Sequence, residues 1–197
     1  YEQCGKLLVA TNDREHRWMV QLFERAQQNR IDAVRFDRQA LKTREPHITG
    51  SGALYVRATG IVDFRQITAK MADLFKSSGG DFKLDSEVVG LQEKRDEVVV
   101  RTRRGAYRTR HVIACAGLMS DRLVKMLGIV PEFQIIPFRG EYFQLPPQKN
   151  RIINHLIYPI PDPDLPFLGV HLTRMIDGTV TVGPNAVLGL KREGYRK

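Results

Sequence analysis

VIACAG, at residues 112–117, is the stretch of sequence that says most about the fold. Its apolar first half predicts a β-strand, and the alanine and glycine at its end predict a tight turn ahead of a helix from about Ser120, the expected N-cap, to Leu127, closed by Gly128. Small residues let a bulky ligand approach the backbone, and free N–H groups at a helix start can bind an anion such as pyrophosphate. Taken alone, the run is equally typical of an ordinary strand-to-helix turn.

The residues before this run predict a helix followed by short strands. Apolar residues recur at intervals of three and four from Phe64 to Phe75, with Asp63 as the expected N-cap and Gly79-Gly80 as the stop. The pattern then changes to period two, which predicts strands at residues 82–84, 87–91, 97–102 and 107–114, joined in part by hairpin turns.

The two ends of the chain add a helix and more strands. A strand is predicted at residues 6–10, then a helix capped by Asn12 or Asp13 that ends near Gln28, a short helix or turn closed at Pro46, and a strand at 53–56. Beyond residue 130, strands are predicted at residues 133–136, 141–145, 152–157, 167–174 and 179–182. The fold class expected is therefore α+β, with a mixed or antiparallel sheet in the last third.

Composition and charge narrow the class of protein. The 197 residues are 42% hydrophobic, with 31 Lys and Arg against 22 Asp and Glu, a formal charge of +9. Such a charge suits nucleic acid, an anionic membrane surface, or an anionic substrate and cofactor. The basic residues are scattered, and the arginines between residues 101 and 110 suit a solvated hairpin, so nucleic acid is not an expected partner.

The cysteines and the length of the apolar runs indicate the cellular compartment of the protein. Two cysteines, Cys4 and Cys115, offer neither a disulfide framework nor a paired zinc motif, which fits a reducing compartment. No apolar run is long enough to cross a bilayer. We therefore expect a cytoplasmic protein whose membrane contact, if it has one, is peripheral to the inner face.

The order of elements from residue 64 to 117 resembles a known domain. A helix, a Gly-Gly turn, a strand containing Val88, a hairpin and then VIACAG is the order in the second half of the FAD-binding domain of D-amino-acid-oxidase-like flavoproteins. The resemblance implies that the backbone of Val88, Ala116 and Gly117 touches FAD.

Six short blocks resemble the L-2-hydroxyglutarate oxidase/dehydrogenase family of that superfamily, across essentially the whole chain. They are CGKL at 4–7, GIVD at 60–63, PFRGEYF at 137–143, HLIYPIPDP at 155–163, PFLGVHLTR at 166–174 and GPNA at 183–186. The resemblance implies FAD-dependent oxidation of L-2-hydroxyglutarate, a small dicarboxylate, to 2-oxoglutarate, with electrons passing to oxygen or a membrane quinone. It also implies that 1–60 and 131–197 belong to a substrate domain, and 61–130 to part of the FAD-binding domain.

Four residues in these blocks are candidates for the chemistry. Arg139 and Arg174 can hold a carboxylate by two parallel hydrogen bonds, His171 can accept the hydroxyl proton, and Tyr158 can hydrogen-bond the substrate. The two arginines also have an ordinary interpretation as surface residues, and Tyr158 as a residue that closes a core edge. His155, in the same block as Tyr158, is expected to make only a local hydrogen bond. His171 and Arg174 are an odd number of positions apart, so on a regular strand they face opposite sides of the sheet.

Two features of the family have no counterpart in this sequence. The GxGxxG turn that binds the FAD pyrophosphate is absent from it, as is the segment with the last strand and flavin-ring contacts. We expect the chain by itself to be an internal fragment without FAD or activity. An amino-acid, sarcosine or glycerol-3-phosphate oxidase, and a non-catalytic basic binding module, are the alternatives.

Overall fold

The computed structural model describes residues 1–165 and 169–194, and its regular elements are as follows. The strands are β1 Lys6–Ala10, β2 Ala33–Asp37, β3 Gly52–Val56, β4 Val88–Glu93, β5 Val98–Thr102, β6 Gly105–Thr109, β7 Phe138–Gln144, β8 Leu156–Pro159, β9 His171–Arg174 and β10 Val180–Leu188. The α-helices are α1 Asp13–Gln28, α2 Arg38–Arg44, α3 Phe64–Ser77 and α4 Ser120–Met126, with 3-10 turns at Gly117–Met119 and Pro147–Lys149. The predicted α+β class is confirmed.

The chain divides into two compact units. The first unit is Tyr1–Lys70 with Gly140–Val187, and the second unit is Met71–Arg139 with the described residues after Val187.

A seven-stranded sheet, in the order β2-β3-β1-β8-β9-β10-β7, is the frame of the first unit. β1 runs parallel to β8, with Leu8 opposite Tyr158, whereas β1 with β3, β2 with β3, β8 with β9 and β9 with β10 are antiparallel. The sheet of the last third is thus continuous with the N-terminal strands through one parallel pair. Sequence periodicity cannot reveal such a pairing, because it reports which face a residue occupies and not which strand lies beside it.

Both faces of β1 are covered, since its side chains alternate between them. Leu7 and Val9 belong to a buried cluster that includes Leu41 of α2, and Ala10 belongs to a second cluster that includes Met19 of α1. Residues near β1 are therefore held rigidly from both sides.

The first helix begins and ends where the sequence predicted. The Asn12 side chain accepts a hydrogen bond from the Glu15 N–H at 3.0 Å, and Gln28 is the last helical residue. α2 ends at Arg44, ahead of Pro46, as expected. β2 was not predicted: it lies at the edge of the sheet, where Val34 is 45% exposed and the apolar signal is weak.

The second unit contains a three-stranded antiparallel sheet, β4-β5-β6. The predicted hairpins at residues 94–96 and around Gly105 are confirmed. Arginines of the hairpins are exposed and paired with acids, as with Arg103 and Glu87 at 2.5 Å and Arg104 and Asp85 at 3.3 Å. The interpretation of these arginines as a solvated face is therefore confirmed.

Several predicted strands are wrong or shorter than expected. Residues 82–84, 110–114 and 133–136 are not strands, and the strands predicted at 152–157 and 167–174 begin only at Leu156 and His171. Residues 167 and 168 of the latter prediction lie outside the described part of the chain. An apolar run becomes a strand only where another strand satisfies its backbone groups, and within the described residues these segments pair with none. The 112–114 segment instead lines a cavity of about 300 Å³ beside α4.

The start of α4 also differs from the prediction. Ser120 does not cap the helix, because its hydroxyl donates to the Gly117 carbonyl and a 3-10 turn precedes it. Gly128 closes the helix with a φ of +77°, as predicted. No helix of the described residues is long and apolar enough to cross a membrane.

Candidate functional site

His171 and Tyr158 form the centre of the candidate site in the first unit. Their rings are stacked, with centroids 4.0 Å apart and an angle of 10° between the planes. The ring of Tyr142 meets the same imidazole edge-on, at 6.4 Å. We call His171, Tyr158 and Tyr142 the aromatic cluster.

Strand register explains why His171 and Tyr158 meet. Ile157 of β8 lies opposite Leu172 of β9 in an antiparallel pair, so the next pair along the ladder is Tyr158 with His171. Directly opposed side chains share one face of a sheet, within contact distance. The predicted candidates Tyr158 and His171 are therefore brought together by the backbone.

A glycine lets the Tyr142 segment come close to His171. Gly183 lies opposite His171 on β10, with a φ of +149°. A Cβ atom there would lie 2.6 Å from the Glu141 carbonyl oxygen and 2.9 Å from the Tyr142 ring. A larger residue would displace Tyr142 from the cluster.

The hydrogen bonds of His171 define which ring nitrogen is available. Its Nδ1 lies 3.1 Å from the Gly169 carbonyl oxygen, which can only accept, so Nδ1 carries the hydrogen. In the neutral imidazole the Nε2 atom then holds the free lone pair. His171 is only 8% exposed, and Nε2 is the ring nitrogen with a lone pair that can accept a proton.

Tyr158 remains a protonated phenol near neutral pH. Burial raises the pKa of its hydroxyl, and a side-chain hydrogen bond with Thr173 acts in the opposite direction with a smaller effect. Thr173 follows His171 by two positions on β9, which places both on the same face. Sequence reasoning missed Thr173, although this spacing was a sufficient signal.

Arg174 lies in a different environment from His171. Its guanidinium donates to the Asn154 carbonyl at 3.0 Å and pairs with Glu2 at 3.0 Å. His171 shares neither of these partners, so the contacts of the described residues do not bring the two side chains together.

His155 makes the local hydrogen bond expected of it. Its Nδ1 lies 2.5 Å from a carboxylate oxygen of Glu45, which is fully buried and also accepts the backbone N–H groups of Asn154 and His155. The Tyr55 ring meets the imidazole edge-on. This buried pair holds the loop before β8 against the end of α2, and nothing in the sequence near Glu45 signalled it.

The predicted cofactor residues lie in the second unit. Val88 is the first residue of β4, Ala116 precedes the 3-10 turn, and Gly117 has a φ of +51°. A Cβ at Gly117 would meet no atom within 4 Å, and Cys115, two residues earlier, is exposed. This open backbone fits the close approach of a large planar or phosphorylated group such as FAD.

Arg139 is the second residue of β7 and belongs to the second unit, with an exposed side chain. Among the described residues no group of three His, Cys, Asp or Glu side chains could hold a metal ion.

Comparison with known proteins identifies the family. A model described as FAD dependent oxidoreductase, DAO, matches residues 1–195. The chain belongs to this family. Its relatives include L-2-hydroxyglutarate dehydrogenase of Escherichia coli strain K12, 58% identical over 198 residues that cover the whole chain and 47% of the relative. The mitochondrial L-2-hydroxyglutarate dehydrogenase of Homo sapiens is 39% identical over 209 residues, covering the whole chain and 45% of the relative.

Solved structures of the same fold are more distant in sequence. Reduced L-alpha-glycerophosphate oxidase from Mycoplasma pneumoniae with FAD bound has a TM-score of 0.87 at 20% identity, over 97% of this chain and 51% of that one. L-proline dehydrogenase from P. horikoshii has a TM-score of 0.82 at 19% identity, over 94% and 50%. These likenesses confirm a DAO-like fold. The chain spans about half the length of the curated relatives it matches.

Proposed function

We propose that the full-length protein carrying this chain oxidises L-2-hydroxyglutarate to 2-oxoglutarate with FAD. The observation that carries the proposal is the orientation of His171, whose Nδ1 is held by the Gly169 carbonyl while its ring stacks on Tyr158. The relatives named L-2-hydroxyglutarate dehydrogenase support this substrate, because they match the whole chain at up to 58% identity.

Oxidation of the substrate removes a hydride from the carbon that bears the hydroxyl and a proton from the hydroxyl itself. FAD, when bound, supplies the acceptor for a hydride from the carbon that bears the hydroxyl. The hydroxyl proton must pass to a base, and Nε2 of His171 takes that role. The phenol of Tyr158 hydrogen-bonds the substrate beside it, and its raised pKa keeps it a donor.

The arginines are proposed as carboxylate ligands. Arg139 is assigned to the carboxylate next to the oxidised carbon, because a guanidinium fixes a carboxylate in two-point geometry. Arg174 is retained as a second candidate, which becomes available only if its ion pair with Glu2 opens. Val88, Ala116 and Gly117 are proposed to hold FAD through their backbone.

The domain assignment is also a proposal. We assign residues 1–60 and 131–197 to the substrate domain and residues 61–130 to the FAD-binding domain. The aromatic cluster supports the first assignment, and the open backbone at Gly117 supports the second. Oxygen or a quinone is the proposed electron acceptor, in a cytoplasmic protein with at most a peripheral membrane contact.

The test is anaerobic reduction of the flavin in the full-length protein. L-2-hydroxyglutarate is expected to bleach the oxidised flavin absorbance, whereas the D-enantiomer is not. Arg139→Ala should weaken binding of the L-form, and Arg104→Ala, which removes an exposed hairpin arginine, serves as the matched control. Bleaching by glycerol 3-phosphate, sarcosine or an amino acid in place of L-2-hydroxyglutarate would overturn the proposal.

A basic binding module is the weaker alternative. Three arginines of the hairpin region are paired with acids: Arg103 with Glu87, Arg104 with Asp85 and Arg108 with Glu97. Pairing lowers the charge that these arginines offer to a polyanion. A salt-dependent shift of DNA or RNA by the protein would favour this alternative.

A further inference from the structure

Lys6 is a cationic side chain beside the aromatic cluster. It is the first residue of β1, it is half-buried, and its Nζ lies 5.3 Å from the centroid of the Tyr158 ring. β1 and β8 are parallel neighbours in which Leu8 lies opposite Tyr158. Lys6 and Leu8 share a face of the sheet, so Lys6 is a diagonal neighbour of Tyr158 on that face.

The three groups follow the order of the strands across the sheet. β8 lies between β1 and β9, and therefore Tyr158 separates Lys6 from His171. The ammonium is 5.3 Å from the Tyr158 ring centroid, and the imidazole centroid is 4.0 Å from it on the β9 side. Together the two distances bound the separation between the ammonium and the imidazole centroid at about 9 Å, which is within the reach of an extended five-carbon diacid that makes a hydrogen bond of about 3 Å at each end.

The charge of Lys6 is available to a ligand. None of the ion pairs formed within residues 1–165 and 169–194 involves Lys6. An ammonium held against an aromatic face is already partly desolvated, which strengthens its attraction for an anion. A lysine also suits the mobile end of a flexible substrate, because it acts as a point charge without a fixed geometry.

We propose that Lys6 binds the second carboxylate of the substrate, the one remote from the carbon that is oxidised, and so selects dicarboxylates over monocarboxylates. This inference rests on the proposed function, in which His171 receives the hydroxyl proton. Lys6 is a specificity-determining residue in this account, and it takes no part in proton or hydride transfer. Its alternative is a solvated lysine that merely covers the Tyr158 ring.

The experiment compares two ligands of equal length that differ by one carboxylate. Inhibition constants of glutarate and pentanoate are measured against L-2-hydroxyglutarate in the full-length, FAD-loaded protein. Lys6→Met, which keeps an apolar stem and removes the charge, should raise the glutarate constant about ten- to a hundredfold, the scale of one lost charge-assisted hydrogen bond. The pentanoate constant should stay unchanged.

Two further variants show whether charge is the cause. Lys6→Arg keeps the charge and should retain most of the preference for glutarate, and Lys149→Met removes an exposed lysine elsewhere and should change neither constant. The rate of flavin reduction at saturating L-2-hydroxyglutarate should fall far less in Lys6→Met than the glutarate affinity does.

The experiment distinguishes failure of the proposed role of Lys6 from failure of the proposed function. An unchanged ratio of the two inhibition constants in Lys6→Met, in a protein that L-2-hydroxyglutarate still reduces, overturns the role of Lys6 alone. An equal loss of affinity for both ligands makes Lys6 a structural residue and also overturns it. Failure of L-2-hydroxyglutarate to reduce the wild-type flavin overturns the proposed function together with this inference.

Discussion

The two compact units differ in how much apolar surface they bury. All three clusters of buried apolar side chains found in the described residues lie in the first unit, around β1, β3 and β8. In the second unit, Leu91 and Val99 are the buried apolar residues, whereas Met71 of α3 is 64% exposed and Ile113 is 88% exposed. A similar apolar content therefore produces a packed core in one unit and an exposed stripe in the other.

This difference in burial explains which unit can hold the side chains of a site in a fixed geometry. The aromatic cluster is built on β8, β9 and β7 of one sheet, whose strand β1 is covered on both faces, so its geometry is held by packing. Within the described residues of the 197-residue chain the second unit has few buried side chains, and segments of that kind open at low free energy. We expect amide hydrogen exchange to be slow in β1 and β3 and fast in the 112–116 segment.

The largest expected effect is loss of a core side chain in β1. Leu7 is fully buried, and Leu7→Ala should lower the free energy of unfolding by about 2–5 kcal/mol. Leu74→Ala is the matched control, because Leu74 of α3 is 54% exposed, and it should change the free energy by less than about 0.5 kcal/mol. Urea denaturation measures both, and equal losses would remove the contrast between the units.

The next largest loss of stability is expected from substitution of the buried carboxylate of Glu45 in the first unit. Glu45→Gln keeps the shape of the side chain but weakens its contacts with His155 and with the two backbone N–H groups. The expected cost is about 1–3 kcal/mol, since a buried polar group loses part of its pairing. Glu24→Gln, at an exposed position of α1, should be neutral in the same denaturation experiment. A neutral Glu45→Gln would show that the pair does not hold the loop before β8.

Loss of a helix N-cap should have a smaller effect on stability, and the size of that effect depends on how the helix packs. Asn12→Ala removes the side-chain cap of α1 and should cost about 1 kcal/mol of global stability, because α1 packs on the sheet. Asp63→Ala removes the corresponding cap of α3, which has no buried residue, and should increase fraying at Phe64 without a global loss. Hydrogen exchange separates fraying from unfolding, and a global loss in Asp63→Ala would contradict the comparison.

The smallest expected effect is a change in how the stability of the second unit depends on pH at acid pH. A two-point hydrogen bond from Arg192 lowers the pKa of the Asp121 carboxyl below its ordinary value of 3.8. A carboxyl whose pKa is lowered by folding stabilises the folded state above its ordinary pKa and loses that contribution as the pH falls through the folded value. Asp121→Asn should therefore reduce the dependence of thermal stability on pH below 3.8 and leave a lower, flatter profile. An unchanged acid dependence would show that the pair does not stabilise this unit.

Local elements were predictable from the sequence, and long-range pairing was not. The α1 helix carries its cap at Asn12 and its apolar spacing within 17 residues, and the hairpin at Gly105 carries its own turn signal. VIACAG has the composition of a strand, yet residues 112–114 are not one, because an apolar run does not contain its own partner.

The candidate site was also predictable only in part, because it depends on long-range strand pairing. Sequence reasoning selected Tyr158, His171, Arg139 and Arg174 singly, and noted that the odd spacing of His171 and Arg174 puts them on opposite faces of a regular strand. The stacking of the two rings depends on the register of β8 with β9, and the place of Lys6 beside them depends on the parallel pairing of β1 with β8. Neither register is written in local periodicity.

The most direct test of the account is the rate of anaerobic flavin reduction by L-2-hydroxyglutarate in His171→Asn, measured by stopped flow on the full-length protein. Loss of the base should slow reduction about 10²- to 10⁴-fold, while binding of glutarate stays nearly unchanged. His47→Asn, at an exposed histidine of the first unit, should reduce at the wild-type rate. Wild-type reduction by His171→Asn would contradict the assignment of His171 and, with it, the placement of the site on the aromatic cluster.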